Sequence, residues 1–356
     1  MEPNTLFYIL IGLLTISFIT DKWLSHLNAK NFDKPIPDEL KDVYDEKEYE
    51  KSQDYKKVNY KFGLLSSTVM FIITMLFFFL DGFAFVDAVA REFSSNNIVV
   101  ALLFFGILFF ASDLISTPFS YFDTFVIEEQ FGFNKSTKKL FFIDKIKGWL
   151  LTAVLGGGIL ALIIWFYETT GPNFWLYGWL IITVFSVFMN MFYARLIVPL
   201  FNKQSPLEDG SLRNKIEEYA KNVGFKLDNI FVIDSSKRST KANAYFSGFG
   251  KEKRITLYDT LIKDLNEDEI VAVLAHEVGH YKRNHIIVNL FSSIVLTGLT
   301  LWLLSIFIDS PLLSQALGVE TPSFHIGLIA FFILYSPIST ITGLVMTYLS
   351  RVFEYQ

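Results

Sequence analysis

Seven long apolar runs constrain the fold of this 356-residue chain more than any other feature. Each run is close to the ~17 to 25 residues that a helix needs to cross a bilayer. A helix satisfies its own backbone hydrogen bonds within lipid, so runs of this length predict a mainly α-helical integral membrane protein. A hydrophobic content of 52% agrees with this interpretation. The predicted spans are roughly residues 6–24, 62–80, 98–115, 149–166, 175–196, 286–308 and 324–349.

The distribution of basic residues predicts how these spans are oriented. All but one of the 31 Lys and Arg residues lie on alternating connecting segments, and Arg91 is the exception. Cytoplasmic loops carry the excess of Lys and Arg, so the N-terminus is assigned to the outside and the C-terminus to the cytoplasm. This arrangement requires an odd number of spans. The net charge of -5 gives no reason to expect a nucleic-acid partner.

A His-Glu-x-x-His pattern at residues 276–280 is typical of zinc proteases. His276 and His280 lie four residues apart, so their imidazoles share one helix face and can bind one metal ion. Glu277 is placed to take a proton from the attacking water and to pass it to the leaving amine. Chance occurrence of so short a pattern is the alternative interpretation.

A catalytic zinc ion needs a third protein ligand, which in a chain without Cys must be His, Asp or Glu. His285 is rotated roughly 140° from His280 on a straight helix, so we interpret it as a helix-end histidine near the membrane surface. Among the later carboxylates, Asp309 and Glu320 fall on the outer side, ~30 Å away. Glu354 alone returns to the cytoplasmic side. The topology therefore predicts Glu354 as the third ligand.

One sizeable soluble segment, residues 201–283, separates the fifth and sixth predicted spans. Its predicted elements are a helix over 212–223 and three strands over 229–234, 242–248 and 254–258. Asn266 and Glu269 form a capping-box pattern, so a further helix is expected to begin near Glu267. We expect this helix to run straight through residue 285 into the sixth span. The segment is thus predicted to be a small α+β protease core at the membrane surface.

Two cytoplasmic segments are candidates for contact with a substrate. The strand over 242–248 is a candidate edge strand beside the metal, onto which a peptide could add in extended form. An interior position in the same sheet is the alternative. Residues 128–137 place paired acids and a turn where they could line a path to the site, or form a plain loop between helices.

Seven segments spread over nearly the whole chain carry a pattern that is specific when they are taken together. They are Glu128–Thr137, Phe201–Lys203, Pro206–Gly210, Arg238–Gly250, Lys253–Leu261, His276–Lys282 and Ser350–Gln356. Together they resemble the type 1 CAAX prenyl proteases, a family of integral-membrane zinc metalloproteases. The resemblance implies seven spanning helices around a large internal cavity and one zinc ion per chain.

The resemblance also implies roles for particular residues. By it, His276, His280 and Glu354 bind zinc, Glu277 is the general base and acid, and Asn243 and Ala244 face the substrate backbone. The family removes the last three residues of prenylated CAAX proteins, so we expect a metalloendopeptidase for prenylated or other membrane-associated peptides. Its expected location is a bacterial inner membrane, or the endoplasmic reticulum membrane of a eukaryote, with the active site facing the cytoplasm.

Some expectations concern the organisation of the chain. The predicted domains are residues 1–200 with five spans, 201–285 with the protease core, and 286–356 with two spans and the third ligand. In the family, Phe-Glu-Tyr-Gln is followed by a further cytoplasmic segment that supports the metal site, whereas this sequence ends at Gln356. We therefore expect either a C-terminally truncated chain or a site without those supports.

A competing hypothesis is an inactive scaffold, or a transporter, that retains a vestigial zinc site. A transporter needs ionisable residues along its spans. Asp113 is the one clear carboxylate in the middle to late part of a predicted span.

Overall fold

The structure is a computed structural model that describes residues 1–43, 45–225, 229–248 and 253–355. Two of the segments that carry the family resemblance end at Gly250 and Gln356, and their last residues lie outside the described part. The helices are α1 (Pro3–Ala29), α2 (Glu46–Phe79), α3 (Gly82–Phe93), α4 (Asn97–Phe122), α5 (Glu128–Gln130), α6 (Lys138–Leu151), α7 (Gly157–Thr170), α8 (Phe174–Leu196), α9 (Val198–Phe201), α10 (Ser211–Asn222), α11 (Asp259–Asp264), α12 (Glu267–Lys282), α13 (His285–Phe307), α14 (Pro311–Gln315) and α15 (Phe324–Glu354). The strands are β1 (Gln204–Pro206), β2 (Ile230–Ile233), β3 (Ala244–Ser247) and β4 (Arg254–Tyr258).

Within the described residues, six helical stretches are long and apolar enough to cross a membrane. They are Pro3–Ala29, Glu46–Phe79, Asn97–Gln130, Lys138–Phe201, His285–Phe307 and Phe324–Glu354. These stretches overlap all of the predicted apolar runs. The mainly helical membrane fold with a small sheet is therefore as predicted.

The 64-residue stretch Lys138–Phe201 contains two of the predicted spans. Between them Gly171 adopts a φ of 55°, which a glycine tolerates because it has no Cβ. The rings of Phe166 and Tyr177 stack with centroids 5.1 Å apart. On a straight helix these residues would be separated by roughly 16 Å. The stretch therefore doubles back on itself, as two adjacent spans would, although the total of seven spans stays a prediction.

The chain divides into two compact units. One comprises Met1–Phe131 and Leu304–Tyr348, and the other comprises Gly132–Leu303 and Leu349–Gln356. The core of the first unit is apolar and includes the fully buried side chains of Leu10, Phe104 and Ile326. The predicted boundaries at residues 200 and 285 follow sequence segments and stay a prediction.

The second unit contains a four-stranded sheet in the order β1-β2-β4-β3. Strands β2 and β4 are parallel, while β1 and β3 pair antiparallel at the two edges. All three predicted strands are present, and β3 is an edge strand as predicted. Strand β1 was not predicted, because the sequence from Pro206 to Gly210 indicated only a turn. Its last residue, Pro206, pairs with Phe231 at the sheet edge, where a missing N–H is tolerated.

Helix α12 begins at Glu267, as the capping box predicted. The Glu269 N–H donates to the Asn266 side chain at 3.0 Å, and the Glu269 carboxylate accepts from the Asn266 N–H at 2.8 Å. Ile270 and Leu274 on this helix are buried in the apolar core beneath the sheet. Residues 276 and 280 lie two and six positions after Leu274, so they occupy the opposite face of the helix. The core contact thus orients the metal-binding pattern.

The prediction of one straight helix from residue 267 into the sixth span is wrong. Helix α12 ends at Lys282, and α13 begins at His285. Between them Asn284 adopts a φ of 59°, a left-handed conformation that Asn tolerates better than most residues. Its N–H donates to the Tyr281 carbonyl, and its own carbonyl accepts from the Val288 N–H. One residue therefore closes one helix and opens the next.

Candidate metal centre

The ligand atoms of His276, His280 and Glu354 all lie within 4.8 Å of one another. His276 Nε2 is 3.1 Å from His280 Nε2. The Glu354 carboxylate oxygens lie 3.5 Å from the first nitrogen and 3.6 Å from the second. Ligands at zinc bond lengths of 2.0–2.2 Å occupy tetrahedron corners that are roughly 3.3–3.6 Å apart. The two separations that involve Glu354 fall within this range, and the 3.1 Å between the histidine nitrogens is slightly shorter, so the group is close to three corners of a tetrahedral zinc site.

Two elements that are distant in sequence bring these side chains together. The histidines belong to α12, and Glu354 is the last residue of α15. The side chains of His276 and Glu354 are about half exposed, so the group is open on their side. The other two carboxylates considered in the sequence, Asp309 and Glu320, belong to the other compact unit. The structure thus brings Glu354, which the topology had selected, close to the two histidines of the His-Glu-x-x-His pattern.

His285 also belongs to this group, although the sequence interpretation gave it no role there. His280 Nδ1 lies 2.8 Å from His285 Nδ1, so a hydrogen on one nitrogen joins the two rings. The His285 ring stacks on Phe353 with centroids 4.0 Å apart and planes inclined by 8°. His285 is only 4% exposed. The expected helix-end histidine near the membrane surface is therefore a buried contact of a candidate metal ligand.

The break at Asn284 explains why this contact was missed. On a straight helix the two histidine side chains would point in directions that differ by roughly 140°. The left-handed conformation of Asn284 changes the chain direction before His285. The 140° angle, which assumes a straight helix, therefore does not apply. Asn284 was the signal that could have indicated the break, because Asn is the commonest residue after Gly at such helix ends.

Glu277 is half-buried next to His276 on α12. Burial raises the pKa of the Glu277 carboxyl above its ordinary value, because the charged form loses hydration. The two histidines oppose this rise, and the Glu354 carboxylate adds to it. A carboxyl group with a raised pKa holds a proton more readily near neutral pH, which suits a group that first accepts and then donates one.

Strand β3 lies at the edge of the sheet, and among the described strands only β4 pairs with it. The Asn243 carbonyl accepts from the Tyr258 N–H at 3.0 Å, so the backbone of Asn243 faces β4. Backbone groups alternate in direction along an antiparallel strand, so those of Ala244 and Phe246 face the open edge. The Ala244 side chain is buried, and its N–H donates to Asn243 Oδ1 at 2.9 Å. Both predicted substrate residues thus border the free edge, Asn243 through its exposed side chain and Ala244 through its backbone.

Strand β3 also contacts the helix that carries the histidines. The Phe246 ring lies 4.8 Å from the ring of Tyr281, which follows His280. The loop that contains Gly132 to Lys135 holds the segment before β3 through two backbone hydrogen bonds. The Thr240 N–H donates to the Phe133 carbonyl at 3.0 Å, and the Lys135 N–H donates to the Arg238 carbonyl at 3.0 Å. This part of the 128–137 segment therefore anchors the chain that leads into the edge strand.

Comparisons with known proteins agree with this geometry. A family profile described as CAAX prenyl protease N-terminal, five membrane helices, matches residues 25–203, and one described as peptidase family M48 matches residues 206–356. The CAAX prenyl protease 1 homolog of Dictyostelium discoideum is 37% identical over 336 residues, which cover 92% of this chain and 78% of the relative. CAAX prenyl protease 1 of Saccharomyces cerevisiae is 34% identical over 383 residues, which cover 100% of this chain and 84% of the relative.

A solved structure has the same fold. The crystal structure of S. mikatae Ste24p matches with a TM-score of 0.92 and 32% sequence identity, over 98% of this chain and 86% of that chain. The resemblance found in the seven sequence segments is thereby confirmed, while the predicted C-terminal truncation stays a prediction. This chain belongs to the CAAX prenyl protease 1 family within peptidase family M48, and it is a multi-pass integral membrane metalloprotease.

Proposed function

We propose that this chain is a zinc endopeptidase that cleaves near the C-terminus of prenylated CAAX-type, or other membrane-associated, peptides. The observation that carries the proposal is the convergence of two imidazole nitrogens and a carboxylate oxygen within 4.8 Å, beside Glu277. The substrate class is supported by the names of its relatives, CAAX prenyl protease 1.

The donor set fits zinc. Two histidines and a glutamate, here His276, His280 and Glu354, are a ligand set of catalytic zinc sites that keep one position open, whereas magnesium and calcium favour ligands that are all oxygen. When bound, zinc supplies a Lewis acid that activates water and polarises the peptide carbonyl. His285 holds the ring of His280 through Nδ1, which fixes the direction of Nε2.

Glu277 moves the proton during peptide hydrolysis. Its carboxylate accepts a proton as the water oxygen attacks the carbonyl carbon. The same carboxyl then donates that proton to the nitrogen that leaves when the carbon–nitrogen bond breaks. Burial, which raises the pKa of Glu277, supports the first step because a carboxylate whose conjugate acid has a higher pKa is a stronger base.

The free edge of β3 binds the substrate backbone in extended form. The outward-facing carbonyl of Ala244 and the N–H and carbonyl of Phe246 provide hydrogen bonds that do not depend on the substrate's side chains, while the Ala244 N–H is held by Asn243 Oδ1. The Asn243 amide, exposed at the start of this edge, provides a further donor. Backbone pairing of this kind suits a protease whose substrates share a short C-terminal motif.

The proposed location of the active site is the cytoplasmic side of the membrane. The shorter connecting segments predicted on the same side of the membrane, residues 22–61 and 116–148, are rich in Lys, and short segments of this kind remain in the cytoplasm. A bacterial inner membrane and an endoplasmic reticulum membrane are both compatible with this orientation.

The alternative of a transporter rested on Asp113. The Thr117 hydroxyl donates to the Asp113 backbone carbonyl at 2.6 Å and lies 3.4 Å from its carboxylate, one turn along α4. A single carboxylate on one helix does not form the path of ionisable residues that a transporter needs. The protease is therefore the function that the geometry favours.

Replacement of Glu277 by Gln tests the proposal. Gln keeps the shape of the side chain but cannot accept the proton, so we expect kcat to fall about 10²- to 10⁴-fold while one zinc ion per chain is retained. Glu218→Gln, an exposed change on α10 in the same unit, is the matched control and should leave both properties unchanged. Unchanged cleavage by Glu277→Gln would contradict the mechanism, and a zinc-loaded wild type that cleaves no peptide would favour the scaffold.

A further inference from the structure

Helix α3 is a short helix of the first compact unit that has no part in the proposed mechanism. Its 12 residues, Gly82–Phe93, are fewer than the ~17 that a spanning helix needs. Phe83 and Ala90 on one face are buried in the apolar core of this unit. Phe85 and Phe93 are nevertheless 69% and 76% exposed, so α3 also presents large apolar side chains away from the core.

Contacts with α2 hold α3 at the end of a candidate span. The Phe83 ring lies 4.8 Å from the ring of Phe77 and 4.9 Å from that of Phe78, both in the last turn of α2. Between the two helices Asp81 adopts a φ of 53°, which ends the helical regularity of α2. The chain therefore folds back, and α3 lies at the level where the span that contains α2 ends.

A buried polar cluster, formed by Asp87, Arg91 and His325, holds α3 at the beginning of a second candidate span. His325 Nε2 donates to Asp87 Oδ1 at 2.7 Å, and Arg91 Nε donates to Asp87 Oδ2 at 2.8 Å. Arg91 Nη2 also donates to the Ser323 hydroxyl at 2.6 Å. Ser323 precedes α15, and His325 is its second residue. Rotation of α3 would separate buried charged groups from their partners, so the polar cluster fixes the orientation of this helix.

The exposed surface of α3 has an apolar flank and a polar flank. At 100° per residue, Phe85, Val89 and Phe93 follow one another in steps of roughly 40° and form an apolar row beside the buried face. Arg91 lies roughly 160° round the helix from Val89, on the flank that contacts Ser323. Such a helix, with an apolar flank opposite a charged one, suits the boundary between lipid and water.

Lipid is the occupant that the surroundings of the apolar row favour. Phe79, which ends α2, is exposed, and so are Leu80 and, in the first turn of α4, Val99. These side chains belong to the apolar surface of spanning helices, and α3 connects the two spans that carry them. A second protein copy is a poorer fit, because one flank of a helix ~18 Å long offers far less than the ~800 Å² per partner of a typical stable interface.

We propose that α3 is an interfacial helix whose apolar row inserts into the headgroup layer of the bilayer. It does so on the side of the membrane where α2 ends and α15 begins. The partner is the lipid surface itself, and the buried polar cluster sets the angle at which α3 meets that surface. The helix thereby determines the depth of the first compact unit in the membrane. Neither zinc nor peptide cleavage is involved.

Site-directed spin labelling tests this assignment, because a chain without Cys carries a nitroxide only where one Cys is introduced. The full chain is labelled at Phe85→Cys or Phe93→Cys in the apolar row. The matched position is Ala88→Cys, which is exposed roughly 140° round the helix from Phe93. Ile72→Cys, exposed within α2, and Glu218→Cys, exposed on α10, are the lipid and water references.

Each labelled protein is reconstituted into vesicles of phosphatidylcholine and phosphatidylglycerol. Power-saturation EPR then compares access of oxygen, which concentrates in lipid, with access of a nickel chelate, which stays in water. We expect labels at residues 85 and 93 to be reached by oxygen and protected from nickel, ~5 to 10 Å below the lipid headgroups. The label at residue 88 should resemble the water reference.

Two results would overturn the assignment. Equal nickel access at residues 85, 88 and 93 would place the whole exposed surface of α3 in water. Exclusion of both reagents from residues 85 and 93 would show that protein covers the apolar row, as in a dimer.

The role of the polar cluster is tested in the Phe85→Cys protein. Asp87→Asn removes the charge that Arg91 and His325 share, so the label at residue 85 should become more mobile and more accessible to nickel. Glu92→Gln, an exposed change of the same type on α3, is the matched control and should leave the spectrum unchanged. An unchanged spectrum with Asp87→Asn would show that the polar cluster does not set the angle of α3.

Discussion

Replacing His285 by Phe isolates the contact that holds His280 in the proposed metal centre. Phe keeps an aromatic ring that can stack on Phe353, as the imidazole does at 4.0 Å. The replacement removes the nitrogen that lies 2.8 Å from His280 Nδ1. The packing around the site is thus preserved, and the ring of His280 loses the partner that fixes its direction.

The expected effect can be derived from two considerations. Loss of the partner of a ligating histidine commonly lowers metal affinity by about 10- to 100-fold, or ~1.4 to 2.7 kcal/mol. A buried donor left without a partner costs ~1 to 3 kcal/mol, which is the same range. The His280 side chain is 21% exposed, so water can replace part of the lost contact. We therefore expect a decrease in zinc affinity near the tenfold end.

Competition with a chromophoric zinc chelator measures this affinity on the full chain in detergent. Thermal unfolding of the metal-free protein reports separately whether the fold is intact. Phe353→Leu is the complementary control, because it keeps the His285 nitrogen but removes the stacked ring, worth ~0.5 to 1.5 kcal/mol. It should lower stability more than zinc affinity. If His285→Phe binds zinc as tightly as the wild type, His285 does not position His280.

Other changes test the remaining parts of the site. Glu354→Ala should lose most of the bound zinc while Glu320→Ala keeps it, and equal zinc contents by metal analysis would contradict the choice of ligand. Asn243→Ala should weaken binding of an uncleaved CAAX peptide several-fold with zinc retained, so unchanged titration curves would place the peptide elsewhere. Burial favours a higher pKa for Asp259, but hydrogen bonds from Ser236 and Ser235 outweigh it and lower the pKa below the ordinary value of 3.8. The ionised Asp259 therefore stabilises the fold above about pH 4 and loses this effect as pH falls through the lowered pKa. The thermal stabilities of wild type and Asp259→Asn should differ at pH 6 and converge towards pH 3, whereas a constant difference would assign the effect to packing.

The features that the sequence predicted well depend on many residues or on strong local contacts. A spanning helix is indicated by about 20 mostly apolar residues taken together, so a few polar positions do not change the outcome. The start of α12 follows from reciprocal hydrogen bonds between Asn266 and Glu269, which are three residues apart. Strand β4 has the predicted bounds, Arg254–Tyr258, because its central residues are buried and mostly apolar.

Strand β1 shows where local pattern is insufficient. It has three residues, and one of them is Pro206, which lacks a donor for sheet pairing. It forms because β2 is already fixed beside β4 and offers a free edge opposite Gln204–Pro206. The information that creates β1 is therefore mostly in residues 230–233 and not in its own sequence.

The carboxylate proposed for the metal centre could be chosen from the sequence because the membrane limits the alternatives. Spanning helices alternate in direction, so each carboxylate after His280 could be assigned to one side of the bilayer. That argument needs only the order of the spans and no side-chain geometry. It selected Glu354, whose carboxylate lies within 3.6 Å of both histidine nitrogens.

The role of His285 could not be chosen in this way, because it depends on the conformation of one residue. Helical periodicity assigns directions correctly only while φ stays in the right-handed region, and Asn284 at φ 59° ends that regularity. A left-handed L-residue costs ~1 to 2 kcal/mol, less for Asn because its side chain can hydrogen-bond locally. The break between the two helices allows the buried imidazole of His285 to contact His280 and to stack on Phe353, which precedes Glu354. A single strained residue thus connects the helix that carries the histidines with the helix end that carries the carboxylate.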